Sequence, residues 1–570
     1  MARKEMAVDS VAEAYLTLLA ERGVEYLFAN AGTDFAPLVE AFAKAARTGA
    51  PVPKPVLATH ENLALSMAHG WAMVTGRVPA VMLHVSVGTA NGVCGVFNAA
   101  RDNMPMLFTA GRSPLTETGL PGARDVYIHW AQEMFDQAGM VRELVKWDYE
   151  LRNGEQLETV IDRALALAGS DPKGPVYLSL PREVLAEPLP AFAYDQPARR
   201  VAAAPPGPGV DAINEVGRML AAAENPLIIT ASAGREPAAV AALADLAQRF
   251  ALPVVQHRPR HLSLPADHPC HLGYDASPYL DDADVILVLE CDVPWVPSLK
   301  APRPQCRVVH LGVDPLFQRY PIRGFACDLA VTAAPAAALP ALTAAIGRYA
   351  PQDKIAARRQ WLARTREMQH AGWRKTRENA AGLRPIHMAW ASACIADVKP
   401  EDAILVNEYT LMPEYCGSNL PGSYFGSSPA SGLGWGGGAA LGAKLAAPNQ
   451  LVIATLGDGS HLFGNPVALH HAAAAHDLPV LFVIMNNSMW GAVRRATQGM
   501  YPQGEAMRSN KPPLIDLDQL PAFEQVCAAA GGYGERVEDP AALPAALERA
   551  LRAVTVERRQ ALLNVICRGP

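Results

Sequence analysis

The chain has 570 residues, of which 50% are hydrophobic, with a formal net charge of −6 and a sequence pI near 6.2. This length is enough for two or three globular domains. The acidic balance provides no basic patch for nucleic acid, and no apolar run approaches the roughly 20 residues that a membrane helix needs. The composition therefore indicates a soluble globular protein.

The first third of the chain alternates between predicted strands and helices. Apolar runs at 24–29, 56–59, 80–83 and 176–180 predict buried strands. Glu61 opens an amphipathic helix that is predicted to run to Gly76. The loop from Asn30 to Asp34 follows the first strand, and His84 follows the third. Polar residues thus stand at the ends of three predicted strands.

The central part of the chain is less informative. A Pro/Ala-rich stretch at 188–208 predicts a linker, and strands are predicted at 226–230 and 285–290. Trp295, which follows the second of these strands, suits either a pocket wall or a core. The charged stretch at 353–377 predicts a solvated helix that connects to the last part of the chain.

The last third carries the strongest pattern. Runs at 451–456 and 480–485 predict two buried strands with an alanine-rich helix between them, which is a βαβ unit. Gly457-Asp458-Gly459-Ser460 follows the first strand and Asn486-Asn487 follows the second. Ligands bind at the carboxyl ends of parallel strands. The oxygens and glycines offered there suit Mg2+ that shares phosphate ligands, so the implied ligand is a diphosphate held through a divalent metal.

This pair of tracts resembles the cofactor motif of thiamine diphosphate (ThDP)-dependent enzymes, although two ordinary turns are the alternative. The resemblance implies an α/β fold with three doubly wound parallel-sheet domains. These would be a pyrimidine-binding domain at 1–187, a middle domain at 208–345 and a diphosphate-binding domain at 383–562. The implied cofactors are ThDP and Mg2+, with Asp458, Asn487 and the backbone carbonyl of Met489 as metal ligands.

The resemblance assigns further residues to the cofactor. Glu61 would hydrogen-bond the aminopyrimidine ring and assist loss of the reactive proton, although the helix dipole alone also favours an acidic residue there. Leu433 would be the wedge that bends the cofactor, and the carbonyl of Ser431 would bind its amino group. The alternative for this glycine-rich stretch is helix packing. The other implied contacts are Tyr409, Thr410, Leu411, Gly457, Gly459, Ser460 and Trp490.

The segment at 83–92 resembles the benzoylformate decarboxylase branch of this family, in which a histidine follows a leucine ahead of a Gly-Thr-x-Asn turn. The resemblance implies that His84 transfers protons to or from the substrate and that Thr33 faces it. A histidine that only packs inside the sheet is the alternative. The chain departs from the branch in two places. Ala31 replaces a frequent proline, and residues 291–297 lack the second histidine of the branch's middle domain.

We therefore expect a ThDP-dependent lyase that cleaves or forms a carbon–carbon bond next to a carbonyl, a 2-oxo acid decarboxylase with carboligase activity. The alternatives are an acetolactate synthase-like carboligase, a 2-hydroxyacyl-CoA or oxalyl-CoA-type lyase, and a catalytically silent ThDP-binding paralogue. Residues 272–275 lack the histidine-bearing turn expected for a flavin, which argues against a flavoprotein. The sequence leaves open which 2-oxo acid and which acceptor aldehyde are used.

In this family the cofactor lies between the first domain of one subunit and the last domain of its partner, which implies a homodimer or homotetramer. Nine cysteines without C-x-x-C spacing and a start without a signal-peptide core predict a cytoplasmic location. The expected partners are small-molecule 2-oxo acids or aldehydes, without nucleic acid or membrane.

Overall fold

The computed structural model describes residues 3–509 and 511–569. In this part of the chain, three parallel sheets have six, five and six strands, and one further pair is antiparallel. Helices cover the sheets, so the predicted fold class of three α/β domains is confirmed. Within the same residues, no helix is both long and apolar enough to cross a bilayer.

The sheet of the first domain has the strand order β3-β2-β4-β5-β7-β6. Its strands and the antiparallel pair are β1 (Arg3–Met6), β2 (Tyr26–Ala29), β3 (Lys54–Leu57), β4 (Ala80–Leu83), β5 (Met106–Arg112), β6 (Asp148–Glu150), β7 (Pro175–Pro181) and β8 (Phe192–Asp195). The helices are α1 (Val11–Glu21), α2 (Ala36–Thr48), α3 (Glu61–Thr75), α4 (Val85–Arg101), α5 (Ile128–Ala131), α6 (Leu157–Gly169) and α7 (Arg182–Ala186).

Two local predictions for this domain were inaccurate. The strand predicted at 56–59 is β3, two residues earlier, because pairing with β2 places Lys54 opposite Tyr26. The stretch predicted as a linker contains β8, which pairs with β1. Phe192 and Tyr194 bury their rings there, so apolar burial orders a segment whose prolines suggested a linker.

The middle sheet has the strand order β10-β9-β11-β12-β13. Its strands are β9 (Pro226–Thr230), β10 (Val254–Gln256), β11 (Val285–Leu289), β12 (Arg307–Gly312) and β13 (Leu329–Thr332). Its helices are α8 (Val210–Ala222), α9 (Pro237–Phe250) and α10 (Pro335–Gly347). Trp295 lies in the core of this domain, edge-on to Phe325. The predicted connecting helix is α11 (Gln352–Ala380), which is mostly exposed.

The last sheet has the strand order β15-β14-β16-β17-β19-β18. Its strands are β14 (Ile404–Glu408), β15 (Tyr424–Gly426), β16 (Val452–Gly457), β17 (Leu481–Asn486), β18 (Tyr533–Val537) and β19 (Ala561–Ile566). The helices are α12 (Met388–Val398), α13 (Trp435–Ala446), α14 (Asp458–Phe463), α15 (Pro466–Ala475), α16 (Gly491–Met500), α17 (Glu505–Arg508), α18 (Phe523–Ala529) and α19 (Leu543–Thr555).

The first and last domains share one hydrophobic core, and α3 packs on α13 at its centre. Glycines on both helices permit backbone contact. A Cβ at Gly442 would lie 1.9 Å from the carbonyl oxygen of Met67, and one at Gly70 would lie 1.9 Å from that of Ala439. These two helices are therefore fixed at a distance that no larger residue allows.

We expect Gly442→Ala to lower the free energy of unfolding by about 1–3 kcal/mol, because its methyl group must push α3 away. Gly372→Ala is the matched control, since Gly372 lies within helix α11 with no atom within 4 Å of its added Cβ. That substitution should raise stability by about 0.5–1 kcal/mol through helix propensity. Denaturant unfolding of both variants measures the difference, and equal effects would refute the close packing.

Candidate active site

The carboxyl ends of β14, β16 and β17 lie side by side. Strand register places Glu408 opposite Leu456 and Gly457 opposite Met485. The predicted cofactor tracts at 409–411, 457–460 and 486–490 consequently meet at one edge of the last sheet. This is where an open α/β sheet binds its ligands.

Asp458 provides the main test of the predicted metal site. Its side chain is buried, and its Oδ1 accepts a 2.8 Å hydrogen bond from the backbone N–H of Gly459. Its Oδ2 is buried without a hydrogen-bond partner among the described residues. Burial raises the pKa of this carboxyl, and backbone N–H groups nearby oppose the shift. An unpaired buried oxygen is costly, so a bound cation fits this position.

The two asparagines of the second tract have different environments. Asn486 is buried, and its amide donates to Asn564 Oδ1 at 3.1 Å. Asn487 is half-buried, and its Oδ1 accepts from the backbone N–H of Met489 at 3.1 Å. Ser488 between them has a φ of 54°, a left-handed conformation that reverses the chain. The first asparagine therefore stabilises the turn, and the second is available to a ligand.

Trp490 joins the two tracts. A Cβ at Gly459 would lie 2.4 Å from its ring, so the glycine permits this contact. The sequence analysis predicts that Gly459 and Trp490 contact the cofactor. The structure shows that Trp490 packs directly against the first tract.

The predicted diphosphate contacts at 409–411 lie in a tight turn. The backbone N–H groups of Thr410 and Leu411 donate to Asn407 Oδ1 at 3.0 and 2.9 Å. Tyr409 has a φ of 75° and is exposed. Asn407, at a buried position of β14, therefore shapes this part of the site, a role that the sequence alone did not indicate.

The predicted wedge stretch, residues 431–436, is hydrogen-bonded by a side chain of the first domain. Asn98 of α4 donates to the carbonyl of Gly432 at 2.9 Å and accepts from its N–H at 3.0 Å. Ser431 has a φ of 59° and is exposed, and Leu433 is half-buried. The predicted wedge, Leu433, thus directly follows a residue whose N–H and carbonyl are both bonded by the Asn98 amide.

Glu61 is the first residue of α3, as predicted. Its Oε1 accepts from the Asn30 amide at 2.9 Å, and its Oε2 accepts from the Asn91 amide at 2.5 Å. Asn30 follows β2 and Asn91 belongs to α4. Two neighbouring elements therefore fix the orientation of this half-buried carboxylate.

His84 follows β4 and faces the loop after β2. Its Nδ1 lies 2.5 Å from Oδ1 of the buried Asp34, and its Nε2 lies 3.3 Å from the Gln132 amide. A Cβ at Gly32 would lie 2.1 Å from the His84 ring, so glycine makes room for the imidazole. His84 is only 18% exposed, but its two nitrogens have partners outside the strand. His84 therefore connects the loop after β2 with Gln132 through both ring nitrogens.

Thr33 is exposed beside a second histidine. Its hydroxyl lies 3.4 Å from Nε2 of the buried His129. Burial and the Arg182 guanidinium lower the pKa of His129, which favours a neutral ring. Arg182 also pairs with Asp125 at 3.1 Å and so anchors the segment before His129. The sequence analysis missed His129, Asp34 and Gln132. Only Asp34 carried a signal, as a carboxylate in a loop at a strand end.

The corresponding edge of the middle sheet is filled by charged side chains. Arg260 Nη2 pairs with Asp292 Oδ1 at 2.6 Å, and the Tyr320 hydroxyl donates to Asp292 Oδ2 at 2.9 Å. Arg235 pairs with Glu290 at 3.5 Å. These side chains pair with one another where a nucleotide would approach a sheet of this type.

Three family models match the chain. They describe the N-terminal TPP binding domain of thiamine pyrophosphate enzymes at residues 9–140, their central domain at 213–342 and their C-terminal TPP binding domain at 408–565. Thiamine pyrophosphate is another name for ThDP. The three matches follow the order of the three sheets.

Named relatives match over most of their length. A benzoylformate decarboxylase of Pseudomonas aeruginosa is 28% identical, covering 98% of this chain and 99% of the relative. A probable acetolactate synthase of Mycobacterium bovis is 27% identical, and the match covers 86% of this chain and 85% of the relative. The structure of a ThDP-dependent 4-hydroxybenzoylformate decarboxylase of Rhodococcus jostii RHA1 superposes with a TM-score of 0.77. The two chains are 25% identical, and the superposition covers 98% of this chain and 99% of the other. The chain therefore belongs to the thiamine diphosphate-dependent enzymes and uses thiamine diphosphate as its cofactor.

Proposed function

We propose that this enzyme is a Mg2+-dependent 2-oxo acid decarboxylase of the benzoylformate decarboxylase type, with carboligase activity. The observation that carries the proposal is the pairing of His84 with the buried Asp34, at the ends of strands next to Glu61. When bound, ThDP supplies a carbon nucleophile for the substrate carbonyl and holds the electron pair that carbon dioxide leaves behind. The protein must then deliver a proton, and His84 is the group placed to do so.

Asp34 positions His84. Its carboxylate bonds Nδ1 and so orients the imidazole ring. Nε2 then faces the Gln132 amide. In this arrangement Nε2 is the nitrogen that we propose exchanges a proton with the substrate. Thr33 provides a hydroxyl at the exposed side of the loop after β2.

Asp458, Asn487 and the carbonyl of Met489 are the proposed Mg2+ ligands. The unpartnered Oδ2 of Asp458 supports this assignment, since a hard cation bound by few protein oxygens would satisfy it. Glu61 is proposed to hydrogen-bond the aminopyrimidine ring. Leu433 and Ser431 remain the proposed wedge and carbonyl partner, with Tyr409, Thr410, Leu411 and Ser460 near the diphosphate.

The acetolactate synthase-like carboligase is the alternative from the same family. Ion pairs of Arg260 with Asp292 and of Arg235 with Glu290 fill the carboxyl edge of the middle sheet. A flavin or a CoA nucleotide at that edge would have to displace buried charges, which is costly. This favours the decarboxylase over the flavin-dependent and CoA-dependent alternatives.

We also propose a homodimer as the smallest active unit, with sites shared between subunits. Asn91, which holds Glu61, and Asn98, which holds Gly432, are seven residues apart on α4, about 10 Å along the helix. The acid and the wedge stretch of one chain thus bind different turns of α4. Exposed apolar side chains near both halves suit a subunit interface. They include Leu57 and Val87 in the first domain and Phe463 and Val467 in the last.

The general test is a substrate screen. Purified protein with ThDP and Mg2+ should release carbon dioxide and aldehyde from at least one of benzoylformate, pyruvate and related 2-oxo acids. If every 2-oxo acid is left intact while aldehydes are ligated, the decarboxylase proposal is wrong.

We expect His84→Ala to slow aldehyde release by about 10²–10⁴-fold while slowing carbon dioxide release less, because the proton is needed after carbon dioxide has left. Asp34→Asn keeps a hydrogen-bond acceptor but loses the charge, so its effect should lie between wild type and His84→Ala. Single-turnover quench with an accepted 2-oxo acid separates the two products. Equal slowing of both steps would exclude His84 as the proton donor.

We expect Asp458→Ala and Asn487→Ala each to abolish Mg2+-dependent ThDP binding, because the cation that neutralises the diphosphate loses an oxygen ligand. Asn486→Ala is the matched control, since that amide bonds Asn564 and should affect stability more than cofactor affinity. Calorimetry with ThDP, with and without Mg2+, measures the loss. Wild-type affinity in Asp458→Ala would refute the metal assignment.

Mixing two inactive variants tests the shared site. Glu61→Gln and Asp458→Ala should each be nearly inactive, yet a mixed dimer has one site with both wild-type residues. Such dimers, purified through two different tags, should recover about half of the wild-type activity per dimer. Recovery should be absent if each chain completes its own site, and that result would contradict the shared arrangement.

A further inference from the structure

Glu408 is a buried carboxylate beneath the predicted cofactor tracts. It is the last residue of β14, and only 1% of it is exposed. The sequence analysis assigned it no role. None of the roles assigned above to the metal, the acid or the wedge uses it.

Donors from two other tracts converge on this carboxylate. Oε1 accepts from the N–H of Gly434 at 2.9 Å, and Oε2 accepts from the N–H of Gly436 at 2.6 Å. The Ser460 hydroxyl lies close enough to the Glu408 carboxylate to lower its pKa. Glu408 therefore connects the end of β14, the wedge stretch before α13 and the Gly-Asp-Gly-Ser tract.

The glycines are needed for this arrangement. A Cβ at Gly436 would lie 2.9 Å from Oε2 of Glu408. Gly434 has a φ of 79°, and its Cβ would lie 2.6 Å from the Cα of Gly464. The carboxylate thus receives the free N–H groups at the start of α13, a 12-residue helix whose amino end favours negative charge.

Keeping a charge at this position has a cost. Burial raises the pKa of Glu408 to about 7, although the N–H groups of Gly436 and Gly434 oppose the shift. Burial and the negative charge of Glu408 also raise the pKa of the nearby Cys94 thiol on α4. Since the folded pKa lies above the ordinary 4.5, the stability that this group contributes is full below pH 4.5 and is lost as the pH rises through about 7. The ionised carboxylate therefore does not stabilise the fold through its charge.

We propose that Glu408 is a positioning residue for the cofactor, which holds the wedge stretch at 431–436 and Ser460 in their binding arrangement before ThDP arrives. It acts through the backbone of Gly434 and Gly436 and does not itself need to touch the ligand. This inference depends on ThDP binding, which family membership shows, and is independent of the proposed 2-oxo acid substrate.

Glu408→Gln is the main test variant. A glutamine can accept one of the two N–H groups, but its own NH2 faces the other donor. We expect the Kd for ThDP with Mg2+ to rise about 10- to 100-fold, which corresponds to the loss of a hydrogen bond to a charged group. Hydrogen exchange at the amides of 431–436 should be faster in the cofactor-free variant. The melting temperature at pH 8 should stay near that of the wild type, because the variant removes a buried charge.

Glu290→Gln is the matched control. Glu290 is also buried directly after a central strand, and its Oε1 accepts the N–H of Val313 at 2.7 Å. It belongs to the middle domain, so its substitution should leave ThDP affinity and exchange at 431–436 unchanged. Glu408→Asp serves as a second variant. It keeps the charge but shortens the side chain by one methylene, and it should weaken ThDP binding in the same direction.

Unchanged ThDP affinity in both Glu408 variants would overturn the proposal. Unchanged exchange at 431–436 would do so as well, because the postulated ordering acts through those amides. A variant that loses affinity and order together supports it, whether or not any 2-oxo acid is turned over. Failure of the decarboxylase proposal would appear only in the substrate screen.

Discussion

The close contact between α3 and α13 is the constraint on which the site depends. Glycines at 70 and 442 bring each backbone against a carbonyl group of the other helix, so a side chain at either position would push the two helices apart. Both helices begin at residues with proposed cofactor roles. Glu61 opens α3, and the wedge stretch ends where α13 begins. The packing that joins the first and last domains therefore also sets the orientation of the acid and of the wedge stretch.

Three buried or half-buried carboxylates at the site illustrate how environment separates roles. Glu61 accepts hydrogen bonds from two side-chain amides, which orient it. Asp458 keeps one oxygen unpartnered among the described residues, which suits a cation. Glu408 accepts from backbone N–H groups at a helix start, which suits an internal connection. The donors around each carboxylate thus suit the different role proposed for it.

The sequence could predict the residues that lie at the ends of strands or at helix starts, because those strands and helices have a simple periodic pattern. Asp458, Asn487 and Glu61 stand directly at the ends of predicted strands or at a helix start, so a local pattern was enough to find them. Asp34, Gln132 and His129 depend on tertiary contacts between segments up to 96 residues apart, as in the Thr33–His129 pair. His129 lies in the four-residue helix α5, and Arg182, directly after β7, anchors the segment before it, which no local pattern could predict.

In the middle domain, the segment that lacks the expected histidine has a different structural role. The sequence lacked a histidine at 291–297, where the resembling branch has one. In the structure, Asp292 of that segment accepts hydrogen bonds from Arg260 and Tyr320. The segment therefore contributes to an ion pair inside the middle domain. Both histidines beside the proposed substrate loop, His84 and His129, come from the first domain. Burial and Arg182 lower the pKa of His129, which favours a neutral ring beside Thr33, whereas His84 bonds the carboxylate of Asp34. The proton transfer proposed for His84 and the contact between His129 and Thr33 therefore involve residues of the first domain alone.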